Sequence, residues 1–555
     1  MKGRPMTRSP SLLAPLLLAA LVALAGCGRG PTPSAPAAPA SVADYDDPPP
    51  GIANRLRIAE HRRERGDLAG ALGSVDAALA RWPESGAARV ARAGILGELA
   101  ARDGDDALGA EAEGIVEQER AAHPDAATPR VALARLRLDA GDPAGAHALL
   151  EGVLAERPDL SIARVADARA LLGLGRLHEA LDAAEGALAS APGSAAALAA
   201  RGSARAALGR DREAEADLRA ARRLRPGDAR LAAQLAGVQL RRRQPARARD
   251  TLQAIPEAHR TAESERLLGD ALRRVGDAPG AEAAYRRGVE RAPSDVSLVG
   301  GLVDLLLEGG DAEAALAAID GSRLEEAEAE RLRFRCLEAA GDAEAARATL
   351  RRALEAEEPP LPAWGDAARL LEGDEGTALE RSRAFFGRED GARVELLRGL
   401  LAKDDAEARS AYEAALAADP RLVVARNNLA FQLLRADQEP ARALELAREA
   451  HEQAPLEPTI LDTRSLALLR SGEPGEALRA AEVGLGLAAP GGATARSLTL
   501  HLALAREASG DLAGARRAAQ TLVRAYRKGR EPAEDPSWLA EARALLERTG
   551  IDDDA

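Results

Sequence analysis

The sequence predicts an all-α protein, a superhelical solenoid of about fourteen antiparallel helix pairs ending in a capping helix. Three observations carry this. The 555 residues are 46% hydrophobic but only 2% aromatic, so the interior has to pack mainly on Ala and Leu. The abundant Ala, Leu, Arg and Glu are strong helix formers. From residue 51 onward a turn of Gly plus a polar residue recurs, with steps of 34 residues from Gly141 to Gly175 to Gly209 and from Gly276 to Gly310. A period of that length marks a stacked repeat array rather than three or four separate globular domains.

The chain opens on an address. Residues 1–26 have a basic start (Lys2, Arg4, Arg8) and then an apolar run, Leu12 to Leu24, interrupted by Pro15. That run is too short and broken for a good spanning helix and has the form of a secretory signal. It ends in Leu24-Ala25-Gly26-Cys27, which resembles the bacterial lipobox. The resemblance implies cleavage before Cys27 and lipidation of its thiol and new amine; the other reading is an ordinary signal with Cys27 incidental. Several acyl chains anchor stably where one is marginal. Gly28 rather than Asp after the cysteine implies, by the same family's sorting rule, an outer-membrane lipoprotein facing the periplasm. Residues 27–50 form the anchor and a Pro/Ala-rich tether. At about 3.1 Å per residue it reaches at most roughly 70 Å.

Residues 51–358 and 359–526 are expected to hold N-terminal and C-terminal sets of helix pairs. Glycine in each turn takes the left-handed conformation that ends a first helix. Proline follows many second helices and stops them, as at Pro83, Pro158, Pro192, Pro226 and Pro293. One small place early in each second helix holds Ala71, Ala112, Ala146, Ala180, Ala214, Ala248, Ala281, Ala315, Ala346, Ala378, Ala408, Ala443, Ala477 and Ala515. This pattern resembles the tetratricopeptide repeat (TPR), whose two helices cross there too closely for a larger side chain. Val423 to Pro455 is the best local match. In the following unit Arg464 and Ser465 stand where the family has Leu and Gly, so either Arg464 snorkels outward or the register slips by one. Gly104-Asp105-Asp106 lengthens one turn. Pro359-Pro360-Pro362 breaks the period, as a flexible joint or as a loop insertion. Residues 527–555 are expected to supply a capping helix and a solvated acidic tail, Asp552 to Asp554.

Catalytic signatures are missing from the sequence. His178-Glu179 opens a zinc-protease-like HEALD, but its fifth residue is Asp182, and none of the seven histidines pairs with another at metal-ligand spacing. There is no P-loop and no G-x-S-x-G elbow, and the G-L-G runs at Gly173 and Gly484 follow no strand. Cys336 reads as a small core residue. With a net charge of −13 and both signs interspersed, the chain lacks the basic face that nucleic acid requires. The expectation is no enzyme, no cofactor, no metal, no nucleic acid and no small-molecule substrate.

In TPR proteins the first helices line the concave face. One mid-helix place on them reads Arg135, Arg169, Ser203, Gly237, Asp270, Asp304, Arg335, Ala367, Leu397, Phe431, Leu466 and Leu504. The series is charged or small first and apolar last. Leu397, Phe431, Leu466 and Leu504, flanked by Arg393, Asn427, Asn428 and Asp462, are therefore the candidate groove for a peptide; the alternative is that they pack against neighbouring helices. Asn428 falls at one position of the carboxylate clamp of some TPR domains, but the companion Lys and Asn are missing. The resemblance implies a lipid-anchored scaffold binding protein or peptide partners in the envelope, in support of assembly or export machinery. The alternative function is an accessory subunit that recruits or regulates an envelope hydrolase or glycan synthase.

Overall fold

The computed structural model describes residues 45, 48–103, 105–387, 391–488, 492–528 and 537–549. The leader, Cys27, the tether to residue 44, Gly104 and Asp552 to Asp554 lie outside the described residues. Within them the chain is all helical: fourteen pairs and one terminal helix, with no strand among the described residues. Pairs 1 to 5 are Pro50–Glu64 with Leu68–Leu79, Gly86–Asp103 with Asp106–Ala122, Ala127–Asp139 with Pro143–Glu156, Ser161–Gly173 with Leu177–Ser190, and Ala195–Ala207 with Asp211–Leu224. Pairs 6 to 10 are Ala229–Arg241 with Pro245–Gln253, Ala262–Val275 with Ala278–Arg291, Val296–Glu308 with Ala312–Asp320, Glu326–Ala340 with Ala343–Glu355, and Leu361–Leu371 with Ala378–Phe386. Pairs 11 to 14 are Ala392–Leu401 with Asp405–Ala418, Val423–Arg435 with Pro440–Gln453, Pro458–Arg470 with Pro474–Leu487, and Ala493–Ala508 with Leu512–Lys528. Ser537–Arg548 caps the end.

The turn chemistry explains the recurring Gly-Asp. In pair 3, Gly141 takes φ +81° and closes the first helix, while Asp142 caps the second by accepting from the Gly145 backbone N–H at 2.8 Å. All fourteen alanines of the small place are buried, eleven of them with no exposed surface. Tighter stacking on one side sets the curvature. First helices of most successive pairs touch one another and second helices almost never do, so the first helices line the concave face.

Pair 10 departs from the pattern. Its two helices scarcely touch each other, and Ala378 is the first helical residue behind a Thr377–Glu380 capping box rather than a crossing residue in mid-hairpin. The apolar core nevertheless runs unbroken from Phe334 through Trp364 to Leu433, past Pro359-Pro360-Pro362.

The superhelix also touches itself across turns, at both edges of pair 5. On one edge, Arg225 Nε is 3.0 Å from Glu64 Oε1 of pair 1, and Gly227 lies against Arg65. On the other edge, the second helix of pair 13 rests on pairs 4 and 5, with His178 Nε2 2.6 Å from Glu482 Oε2.

Candidate partner-binding face

Charges on the concave face of the earlier pairs are largely spent on one another. Asp139 holds Arg169 of the next pair at 2.9 Å, Asp304 holds Arg335 at 2.5 Å, and Glu338 holds Arg369 at 2.8 Å. Arg63 bridges Glu60 and Glu98, both at 2.6 Å. Arg135 reaches Glu98 only at 3.9 Å. Asp270 accepts from the Tyr285 hydroxyl at 2.6 Å and pairs with Arg266 at 3.2 Å. These mostly half-buried pairs leave few uncommitted charges for a ligand. Ser203 and Gly237 add only small surfaces between them.

The apolar end of the series differs. Phe431 on pair 12 is 36% exposed, one of the few large apolar side chains so open, and Leu466 and Leu504 on pairs 13 and 14 are half-buried. Around them Asn427 is buried and donates from Nδ2 to Asn428 Oδ1 at 3.4 Å, leaving its own carbonyl oxygen without a protein partner. Asn428 is also hydrogen-bonded to Tyr412, whose phenol burial pushes up to about 12. Arg393 donates to the Ala356 carbonyl.

Two members of the series need correction. Leu397 and Ala367 are fully buried in the core and offer no side chain to a ligand. The cause at pair 11 is a shortened first helix, Ala392–Leu401, which ends soon after Gly399. Gly269 of pair 7 stands twelve residues before Ala281 and touches Tyr285, whereas Gly399 stands nine before Ala408 and touches Tyr412 in the same way. The close-crossing place is therefore Gly399, the register moves by three, and half-buried Leu400 follows it where Leu397 was expected.

Asp462, Ser465 and His501 come together as a cluster that sequence spacing did not reveal. His501 Nδ1 is 3.0 Å from Asp462 Oδ1 and 2.9 Å from Ser465 Oγ. A Ser-His-Asp relay needs the two partners on opposite ring nitrogens. Here both approach Nδ1, and Ser465 is fully buried and donates to the Asp462 carbonyl at 2.9 Å. The cluster ties pair 13 to pair 14. Ser465 fills the small place, and Arg464 turns toward Glu476 at 3.6 Å.

The remaining chemistry-bearing residues are structural. His178 is engaged by Glu482. Cys336 is buried, and burial pushes its thiol up to about 11, far from a reactive thiolate. Among the described residues no group of three or more His, Cys, Asp or Glu side chains is placed to hold a metal, and no described helix is long and apolar enough to cross a membrane.

Curved stacks of short antiparallel helix pairs with a concave first-helix face define an α-solenoid. The tetratricopeptide-repeat family model matches residues 131–195, 165–229 and 266–330, so these stretches carry tetratricopeptide repeats. No curated protein is significantly similar in sequence. Among solved structures, the chain is similar to a tetratricopeptide repeat protein from Parabacteroides merdae, with 18% identity, 44% of this chain and 96% of that chain covered, and a TM-score of 0.33. It is also similar to pilF of Pseudomonas aeruginosa, at 17% identity, 39% and 99% coverage and a TM-score of 0.32. Naa15/Naa10 bound to HypK gives 17% identity, 90% and 79% coverage and a TM-score of 0.30.

Proposed function

We propose that this chain is a non-enzymatic scaffold, held by lipid on Cys27 in the bacterial envelope, that binds a peptide or protein partner on the concave face of pairs 12 to 14. The observation that carries the reading is the contrast along one face. Apart from Arg135, the charged places of the earlier pairs are neutralised by their neighbours, whereas Phe431 stays 36% exposed beside Leu466 and Leu504. An exposed aromatic with apolar neighbours and polar amides at its rim is what an anchoring groove for a peptide consists of. Anchoring at Cys27 rests on the lipobox-like Leu24 to Cys27. A role in assembly or export of envelope components is what the repeat family's resemblance implies.

The test is capture of envelope proteins from the native host on the detergent-solubilised chain, in parallel with Phe431→Glu. A stoichiometric partner lost from the variant, with its helical circular dichroism unchanged, is the expected result. A partner held equally by both proteins rejects the groove. Incorporation of labelled fatty acid, abolished by Cys27→Ser, checks the anchor independently.

A further inference from the structure

The contact between pair 13 and pairs 4 and 5 joins residues 304 positions apart and closes the intervening stack into a ring. Three elements make it. His178 Nε2 meets Glu482 Oε2 at 2.6 Å. Val483 packs on the cluster formed by Leu171, Leu177, Ala180, Leu181, Ala204 and Leu208. At Gly486 the backbone lies so near Ala207 that a Cβ would come 3.0 Å from the Ala207 carbonyl oxygen. Ala180 and Ala477, the crossing residues of pairs 4 and 13, are fully buried in the closed chain.

We propose that this contact is a releasable clasp: closed, it encloses the concave face of pairs 5 to 12, and open, it admits a bulky partner to that face. The proposal rests on the concave face being the binding face, and of the anchors proposed there Phe431 on pair 12 lies within the enclosed stretch. Charge arrangement makes release affordable. Glu482 is buried, at 5% exposure, but Arg506 of pair 14 holds its second oxygen at 3.2 Å, so parting from His178 does not strand a bare carboxylate. The charged groups that act on His178 are Glu482 from pair 13, Asp182 from its own helix and Arg210 from the turn of pair 5, with Arg506 of pair 14 behind Glu482. Glu482 first and Asp182 second hold the imidazolium above the ordinary histidine range, while burial and Arg210 oppose them. The ion pair is therefore complete in mild acid and lost as pH rises through that raised value.

The test needs no partner. Ser203 sits on the concave series of pair 5, inside the ring. In the full chain carrying Ser203→Cys, the labelling rate of a 5-kDa polyethylene-glycol maleimide is divided by that of N-ethylmaleimide, which cancels thiolate ionisation. Val483→Asp and His178→Ala are expected to raise this ratio about fivefold or more. Raising the pH from 6 to 8.5 is expected to raise it in the parent and leave it unchanged in His178→Ala. A ratio equal in all proteins at both pH values overturns the clasp. Because the readout is access and not binding, it stands or falls separately from the Phe431 groove.

Discussion

Gly269, on the first helix of pair 7, lies flat against Tyr285 on the second: a Cβ built on the glycine would sit 2.6 Å from ring atom Cε1. Gly301 of pair 8 approaches the same ring atoms, Cε1, Cζ and Cδ1, and Tyr285 is fully buried. An aromatic ring thus fills, here as at Gly399 and Tyr412, space that pair 5 fills with Leu218 against Gly202.

Gly269→Ala should overpack this crossing and cost about 1–3 kcal/mol. Gly237, helical too but with nothing near its would-be Cβ, is the control. Gly237→Ala should be neutral or stabilise by up to about 1 kcal/mol. Repeat arrays lose stability locally, so hydrogen exchange over residues 262–291 for the first variant, and over 229–253 for the second, is the suitable readout.

Arg243 turns the corner of pair 6 at φ +56°, a conformation that most turns of this chain assign to glycine. Arg243→Gly should remove that left-handed strain and stabilise the pair by about 1 kcal/mol. Slower exchange across residues 229–253 would bear this out; faster exchange would show that the arginine side chain contributes more than its backbone costs.

Leu397 and Phe431 should separate core from surface. Leu397→Ala removes a fully buried side chain and is expected to cost about 2–5 kcal/mol, read as lost protection of residues 392–418. Phe431→Ala, at an exposed position, should stay within about 1 kcal/mol of the parent.

His451, near the end of the second helix of pair 12, has a buried Nδ1 without a partner. Burial first, and Arg464 second, push its imidazole down to about 4. The folded form keeps it neutral while the unfolded chain takes up a proton below the ordinary histidine pKa of about 6.5. The stability tied to it is therefore present above about pH 6.5 and lost as pH falls toward 4. His451→Leu should flatten that loss, measured as protection of residues 440–453 at pH 7 against pH 5. An unchanged pH slope would remove His451 from the account.

The apolar series was legible as a series but not in every register. Phe431, Leu466 and Leu504 lie twelve, eleven and eleven residues before their crossing alanines, and the structure leaves all three accessible. The same offset lands on buried Leu397 because the first helix of pair 11 ends early, at Leu401. The signal that marks the shift was present, in the small residue Gly399 facing an aromatic Tyr412, but an alanine-rich chain offers many small residues to align on.

By itself the sequence determined the helix-pair unit, its turns and its count. Gly-Asp corners, crossing alanines and stop prolines each act within one pair or between neighbours, so their period survives as a readable pattern. Only the tertiary structure decided that pair 10 splays, that His501 bridges Asp462 and Ser465, and that Glu482 meets His178 across the superhelix. Those outcomes depend on the small rotation from each pair to the next. Summed over many pairs, that rotation brings together residues that no local pattern encodes.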